Sequence, residues 1–255
     1  MRNIELASWE NVPNRVDSIK RSLEIIYKVR LHHDFDDVPL EQLYPTEDFL
    51  ENDKLALILM KVVKEGYDVP VITVDCGEKY FVLDGHHRSY VNKKLMDNSI
   101  KSYVLKFPEG TSYRAVPKRS IEDLPIKNVG TIDDLILKAW QRIFSILKHY
   151  EAIYEVHFYL KKDQVHLRDI VPTQNQVRKE RIDAIKELLV PIVCIEYQGI
   201  NYILDGHARS IRAKQLGSAS LEAIILSPSV PIDFGVVKTT REMNLRSLDD
   251  VKIVE

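Results

Sequence analysis

Little in this sequence declares a function outright, and each thing it lacks closes off a class. There are only two cysteines, Cys76 and Cys194, with no CxxC pair and no Cys/His ligand spacing. Neither a disulfide framework nor a zinc site is therefore indicated, and both residues read as buried bystanders of apolar runs. Neither sign of charge dominates: 36 Lys+Arg stand against 38 Asp+Glu, for a formal net charge of -2. No global positive field invites nucleic acid or an anionic membrane. An uninterrupted apolar run of roughly 18 residues is missing, and the opening MRNIELASWENVP lacks the basic-then-apolar order of a signal peptide. The expectation is a soluble, non-secreted, cytoplasmic protein with no membrane partner. Low-complexity segments are absent, and the 12 tyrosines are dispersed, unlike the stacking platforms of single-strand binders.

What is present is 255 residues, 45% of them hydrophobic, enough for one large domain or two of about 120 residues. Comparing the chain with itself decides between these. VPLEQLYPTE (Val38 to Glu47) aligns with VHLRDIVPTQ (Val165 to Gln174), and the stretch Val69 to Leu105 aligns without a gap with Val190 to Leu226. The second pairing matches Asp84 with Asp205, Gly85 with Gly206, His86 with His207, Arg88 with Arg209 and Ser89 with Ser210. Between the two blocks the second copy is shorter.

Each copy reads as a small α/β module. An extended segment reaches Pro45 and Thr46, or Pro172 and Thr173. A helical pattern follows, on Leu55, Leu59 and Val62 or on Ile182, Ile185 and Leu189. Then come β-branched runs (Val69 to Val74; Val190 to Ile195), a glycine turn, a second strand, an Asp-Gly turn, a helix and a last strand. Residues 15 to 33 carry apolar positions near a helical period. Thr131 to His149 forms a long amphipathic helix, with Asp133 and Asp134 in its first turn, suited to docking the modules together. Pro108 to Val129 reads as an irregular connector. The expected layout is an N-terminal helical extension over 1–34, module 1 over 35–110, a connector with the long helix over 111–160, and module 2 over 161–255.

The chemistry lies in LDGHHRS and LDGHARS, where a strand ends, Asp-Gly turns the chain and a helix opens with His and Arg. Helix-initial N–H groups, glycine that admits close approach and a guanidinium fork suit phosphate oxygens. The bland alternative is that the Asp is a cap and the Arg a surface charge. Two further clusters have bland readings: adjacent His86 and His87 point in different directions, against metal ligation, and His32, His33, Asp34, Asp36 and Asp37 read as a solvated polar loop.

With the upstream Pro-Thr-Glu, the strand-DGHHR-helix arrangement resembles the ParB/sulfiredoxin superfamily, nearest to its ADP-dependent free serine kinase branch. The likeness covers about 70 residues of each half. It implies an α/β (α+β) fold of two tandem ParB/sulfiredoxin-like modules docked through the amphipathic helix. It also implies a nucleotide-dependent phosphotransferase acting on a small hydroxyl compound, with ADP or ATP and Mg²⁺. Carried over, Glu47 and Asp84 are the catalytic pair, Glu47 taking the hydroxyl proton and Asp84 orienting the acceptor or Mg²⁺. Gly85, His86, His87 and Arg88 are the phosphate-binding residues of module 1, and Asp205, Gly206, His207 and Arg209 those of module 2. Module 2 departs from the pattern with Gln174 for Glu47 and Ala208 for His87, so it either binds a ligand without turnover or is a structural copy. The position of the sulfiredoxin cysteine is held by His86 or His207, which excludes that chemistry. The alternative function is a ParB-like DNA-binding or nucleotide-sensing regulator, disfavoured by the near-neutral charge and the lack of a helix-turn-helix pattern after Leu226.

Overall fold

The computed structural model describes residues 4–116, 119–129 and 134–255. The chain divides into two compact units, Met1–Gln141 and Arg142–Glu255, each a mixed α/β half.

The first unit opens with α1 (Val12–Tyr27), which ends where Lys28 turns left-handed at φ 56°. There follow β1 (His32–Pro39), β2 (Leu43–Pro45), β3 (Leu50–Glu51), α2 (Asn52–Glu65), β4 (Val71–Asp75), β5 (Tyr80–Asp84), α3 (His86–Lys94), β6 (Ser99–Lys106) and β7 (Ile126–Lys127). Five strands form one sheet in the order β1-β6-β4-β5-β2, and β3 pairs with β7 in a separate ribbon. The central strands carry apolar residues on both faces, as a sheet covered on two sides requires. Ile72, Val74, Phe81 and Leu105 pack with Val12, Val16 and Leu23 of α1. Their neighbours Val71, Val82 and Val104 face the other way, against Val38, Leu40 and Leu43.

The second unit repeats this plan. Its elements are α4 (Leu135–Tyr154, within the unit from Arg142), β8 (Phe158–His166), β9 (Ile170–Pro172), β10 (Gln176–Arg178), α5 (Lys179–Asp183), β11 (Ile192–Tyr197), β12 (Ile200–Asp205), α6 (His207–Gln215), β13 (Ser220–Pro228), α7 (Gly235–Glu242) and β14 (Lys252–Val254). The sheet order β8-β13-β11-β12-β9 matches the first sheet strand for strand, and β10 pairs with β14 as β3 does with β7.

Four expectations change. The polar run from His32 to Asp37 is an edge strand rather than a loop: β1 pairs antiparallel with β6 along its whole length. Its exposed charges, including Asp34 bonded to Lys106 at 2.7 Å, keep that edge from recruiting other chains. The segment after β6 belongs to the first unit. Tyr113 packs on Tyr27, Phe81 and Phe107, and β7 pairs with β3. The long helix is the counterpart of α1, not a device outside the repeat: Arg142, Glu151 and Tyr154 stand where Arg15, Glu24 and Tyr27 stand. Each helix ends on a left-handed residue, Lys28 or Glu155, and then holds the next strand by a glutamate that accepts from Leu31 N or Phe158 N. Asp134 caps α4 by accepting from Ile136 N and Leu137 N; Thr131 and Asp133, expected in its first turn, lie outside the described residues. Finally, the helix expected through Ile182, Ile185 and Leu189 stops at Asp183. The second copy has fewer residues there, and the chain must turn back early to start β11; the carbonyl of Ile185 accepts from Arg212 Nε instead of continuing the helix.

Candidate functional site

In the first unit β2 and β5 run parallel, with Pro45 beside Val82. Glu47 and Asp84, 37 residues apart in sequence, thus emerge at the same end of neighbouring strands, where α3 begins. Open α/β sheets present ligands to that edge.

His86 joins the two strand ends. Its Nε2 accepts from Thr46 N at 3.0 Å and Glu47 N at 3.3 Å, while Thr46 Oγ1 donates to the carbonyl of Val82 at 2.6 Å. With Nε2 an acceptor, the ring proton resides on Nδ1. Nδ1 lies 3.4 Å from Glu47 Oε1, at the outer limit of a hydrogen bond. The Glu47 side chain is half exposed. Burial pushes its carboxyl up, but the His86 hydrogen bond and the nearby cation Lys54 help to outweigh that, and the net direction is down. Glu47 is an ionised, oriented carboxylate facing solvent. His87 is also an acceptor, taking Glu51 N at 2.9 Å. Desolvation pushes its imidazole down to about 4, so it is neutral at physiological pH.

The residues expected at the phosphates turn inward. Arg88 is buried; its guanidinium donates to the carbonyl of Pro70 at 2.5 Å and of Val69 at 3.3 Å, and to Asp84 Oδ2 at 2.6 Å. The other carboxylate oxygen of Asp84 accepts from Arg15 Nη1 of α1 at 3.2 Å. Asp84 is therefore clamped between two arginines, one on each carboxylate oxygen, while its side chain remains 25% exposed. Gly85 also serves the fold. Its φ is 101°, and a Cβ there would meet Val71 Cγ1 at 2.5 Å and Arg88 Nη2 at 2.8 Å, so the glycine is required by the chain's own packing rather than by an approaching ligand.

The second unit repeats the clamp. Asp205 lies 2.8 Å from Arg209 Nη2 and 3.4 Å from Arg142 Nε, and Arg209 also donates to the carbonyl of Pro191. Gly206 has φ 104° against Ile192. His207 Nε2 accepts from Thr173 N at 3.0 Å, and desolvation pushes it down to about 4. The exposed Gln174 replaces Glu47. Ala208 replaces His87 and packs on Val177, Ile182, Ile211 and Val251.

Two arginines that the motif did not contain now stand out. Arg15, roughly one-third exposed, is the cation of the clamp that reaches solvent in the first unit, and Arg142, mostly exposed, is its counterpart. The signal was in the sequence: Arg15 matches Arg142 in the register that pairs Val38 with Val165. Beside Glu47 a cavity of about 250 Å³ is walled by Phe81, Tyr113 and Arg119, giving the carboxylate an aromatic wall and a facing cation. Arg119-Ser120 and Arg246-Ser247 repeat in that register too.

Three chemical consequences follow. The net charge of the clamp is positive, beside helix-initial N–H groups of α3 that have no intrahelical acceptor. Among the described residues no group of three or more His, Cys, Asp or Glu could hold a metal by itself. Thiol chemistry is remote, since burial pushes the Cys76 thiol up and that of Cys194 up to about 12. No described helix is long and apolar enough to cross a membrane.

No protein-family model matches the chain. The uncharacterized protein MJ0188 of Methanocaldococcus jannaschii is 32% identical over 138 residues, 51% of this chain and 52% of that protein. The chain thus spans about half the length of that relative. Among solved structures, a sulfiredoxin from Arabidopsis thaliana matches 29% of this chain and 86% of its own at 20% identity and a TM-score of 0.25. A conserved hypothetical protein from Pyrococcus furiosus matches 31% of this chain and 34% of its own at 24% identity and the same TM-score.

Proposed function

We propose that the first unit is a nucleotide-dependent phosphotransferase acting on a small hydroxyl compound. The observation that carries this reading is Glu47: an ionised, half-exposed carboxylate, oriented by His86, beside a small cavity and next to a positively charged strand-helix turn. Phosphoryl transfer asks a protein for positioning and charge neutralisation more than covalent chemistry. Glu47 accepts the proton as the acceptor hydroxyl oxygen bonds to phosphorus, and the bond to the leaving nucleotide oxygen breaks. Arg15 and the first N–H groups of α3 face the phosphate charge, while Asp84 and Arg88 hold Arg15 and the turn in place. No step is routed through Mg²⁺.

The test pairs binding with turnover. Melting is followed with ADP, ATP, CTP and GTP, with a short DNA duplex alongside; a ligand at roughly a hundred times its dissociation constant stabilises by about 2.7 kcal/mol, a visible shift. Arg15→Gln should weaken the nucleotide shift. Glu47→Gln should retain it and lower phosphotransfer more than about a hundredfold, the scale of a lost general base. A shift with DNA alone, or full turnover by Glu47→Gln, rejects the reading and favours a ParB-like regulator.

A further inference from the structure

The second unit contains a cavity that no part of the phosphotransfer reading uses. It measures about 350 Å³ and is lined by α4, by Thr173 after β9, by Leu204 of β12 and by Val236 of α7. Arg142, Ser145 and His149 line it from one face of α4, as residues three and four apart on a helix do. Arg142 approaches Asp205 through Nε only, at 3.4 Å. Its two terminal nitrogens make no hydrogen bond among the described residues, nor does the His149 ring, which lies edge-on to Tyr150 with centroids 5.8 Å apart. Both side chains are exposed. No carboxylate lines the cavity; its remaining wall is Ile146, Leu204, Val236 and the Tyr150 ring. Burial, with Tyr154 nearby, pushes the Tyr150 hydroxyl up to about 12, so it adds no negative charge at physiological pH.

A guanidinium fork and an imidazole at one side of an otherwise apolar cavity form an electrostatically one-sided site. From this we infer that the second unit binds a phosphate monoester with an apolar or aromatic body, its phosphate on Arg142 and His149 and its body against Tyr150, Ile146 and Leu204. Phosphate fits better than carboxylate because a near-dianion meets two donors on separate turns of the helix. The two cavities share one equivalent wall residue, Thr46 in the first and Thr173 in the second, and otherwise differ: the first is closed by Phe81, Tyr113 and Arg119, the second by α4. Glu47 lines the first cavity, whereas the second is lined by no carboxylate that could take a proton. The site binds without turning its ligand over. This inference is independent of the phosphotransfer reading: it needs neither Glu47 nor a nucleotide.

The experiment is calorimetric titration of the full chain with phenyl phosphate, inorganic phosphate, benzoate and phenol. Wild type should bind phenyl phosphate with a dissociation constant of about 1 mM or tighter, inorganic phosphate more weakly, and benzoate and phenol more weakly still. Arg142→Gln should weaken phenyl phosphate at least tenfold and His149→Gln severalfold. Arg15→Gln, expected to weaken phosphate binding in the first unit, should leave it unchanged, which separates this site from that of the first unit. Both second-unit variants alter exposed side chains, so their melting temperatures should stay near wild type. The inference is overturned if phenyl phosphate fails to bind at about 10 mM, if phenol or benzoate binds as tightly, or if Arg142→Gln makes no difference.

Discussion

The two units share their scaffold almost feature for feature and differ where chemistry would happen. Both clamp an aspartate between two arginines, Arg15 and Arg88 on Asp84, Arg142 and Arg209 on Asp205. Both fix the end of the strand that closes in Pro-Thr on a buried histidine Nε2. These shared residues dominate the DGHxR motif, and in each unit they bind the protein to itself. The differences are Glu47 against Gln174, His87 against Ala208, and the fourteen-residue α2 against the five-residue α5. What the two copies share is what the turn needs to fold; the position of the Glu47 carboxylate is held by an amide, Gln174, in the second copy.

The largest effect expected from breaking this parallel is at the inner arginine. Arg88→Leu would strip the donor from the carbonyls of Val69 and Pro70 and leave Asp84 with Arg15 alone. Removing one partner of a buried pair costs about 3–5 kcal/mol. Arg209 is more exposed and donates to one carbonyl, so Arg209→Leu should cost about 1–2 kcal/mol. Urea denaturation of both variants would show the order; equal losses would mean the clamps are equivalent after all.

Next is the catalytic contrast. Glu47→Gln turns the first unit into a copy of the second at this position and should lower phosphotransfer more than about a hundredfold with little change in stability. The reverse change, Gln174→Glu, should create no activity, because the second cavity is lined by Arg142 and His149 rather than by Arg119 and Asp48.

The sequence displayed much of this and concealed a specific part. The sheet-helix repeat was legible because LDGHHRS and LDGHARS align, and the strands came out within about two residues of where β-branched runs put them. The first helix was legible as a helix but not as a member of the repeat. Pro13 and Trp140 mask its likeness to α4, although Arg15, Glu24 and Tyr27 recur as Arg142, Glu151 and Tyr154. The inward turn of Arg88 had no local signal at all. Which way a guanidinium points at a helix start depends on acceptors elsewhere, here the carbonyls of Val69 and Pro70 at the entry to β4. The five polar residues His32, His33, Asp34, Asp36 and Asp37, read as a solvated loop, hid a strand because an edge strand with both faces wet has no alternation to read.

A third, smaller effect is acid sensitivity. Desolvation pushes His87 and His207 down to about 4 in the folded chain, against about 6.5 for an exposed imidazole, so both are neutral near pH 7. The unfolded chain binds their protons first, so their contribution is complete above pH 6.5. It is lost as pH falls from 6.5 to about 4, at up to about 1.4 kcal/mol per pH unit for each group. His87→Ala, which imitates Ala208, leaves Glu51 N without its acceptor and should cost about 1–2 kcal/mol at neutral pH. It should also flatten the fall of the urea midpoint between pH 6.5 and 4. A slope as steep as wild type would assign acid sensitivity to other groups.

The smallest effect should fall on the outer arginines, and it separates scaffold from site. Arg15 and Arg142 reach their aspartates at 3.2 and 3.4 Å, but their side chains are 38% and 68% exposed. Solvent screens such pairs to about 0–1 kcal/mol. Arg15→Gln and Arg142→Gln should therefore melt close to wild type, the Arg15 variant slightly lower because its pair is less exposed. Nucleotide binding should drop in Arg15→Gln and phenyl phosphate binding in Arg142→Gln. Stability lost without a loss of binding would make the outer arginines part of the scaffold with Arg88 and Arg209. Binding lost at constant stability would make them the residues through which each copy meets its ligand, and the contrast between the units would then lie in what Glu47 does next.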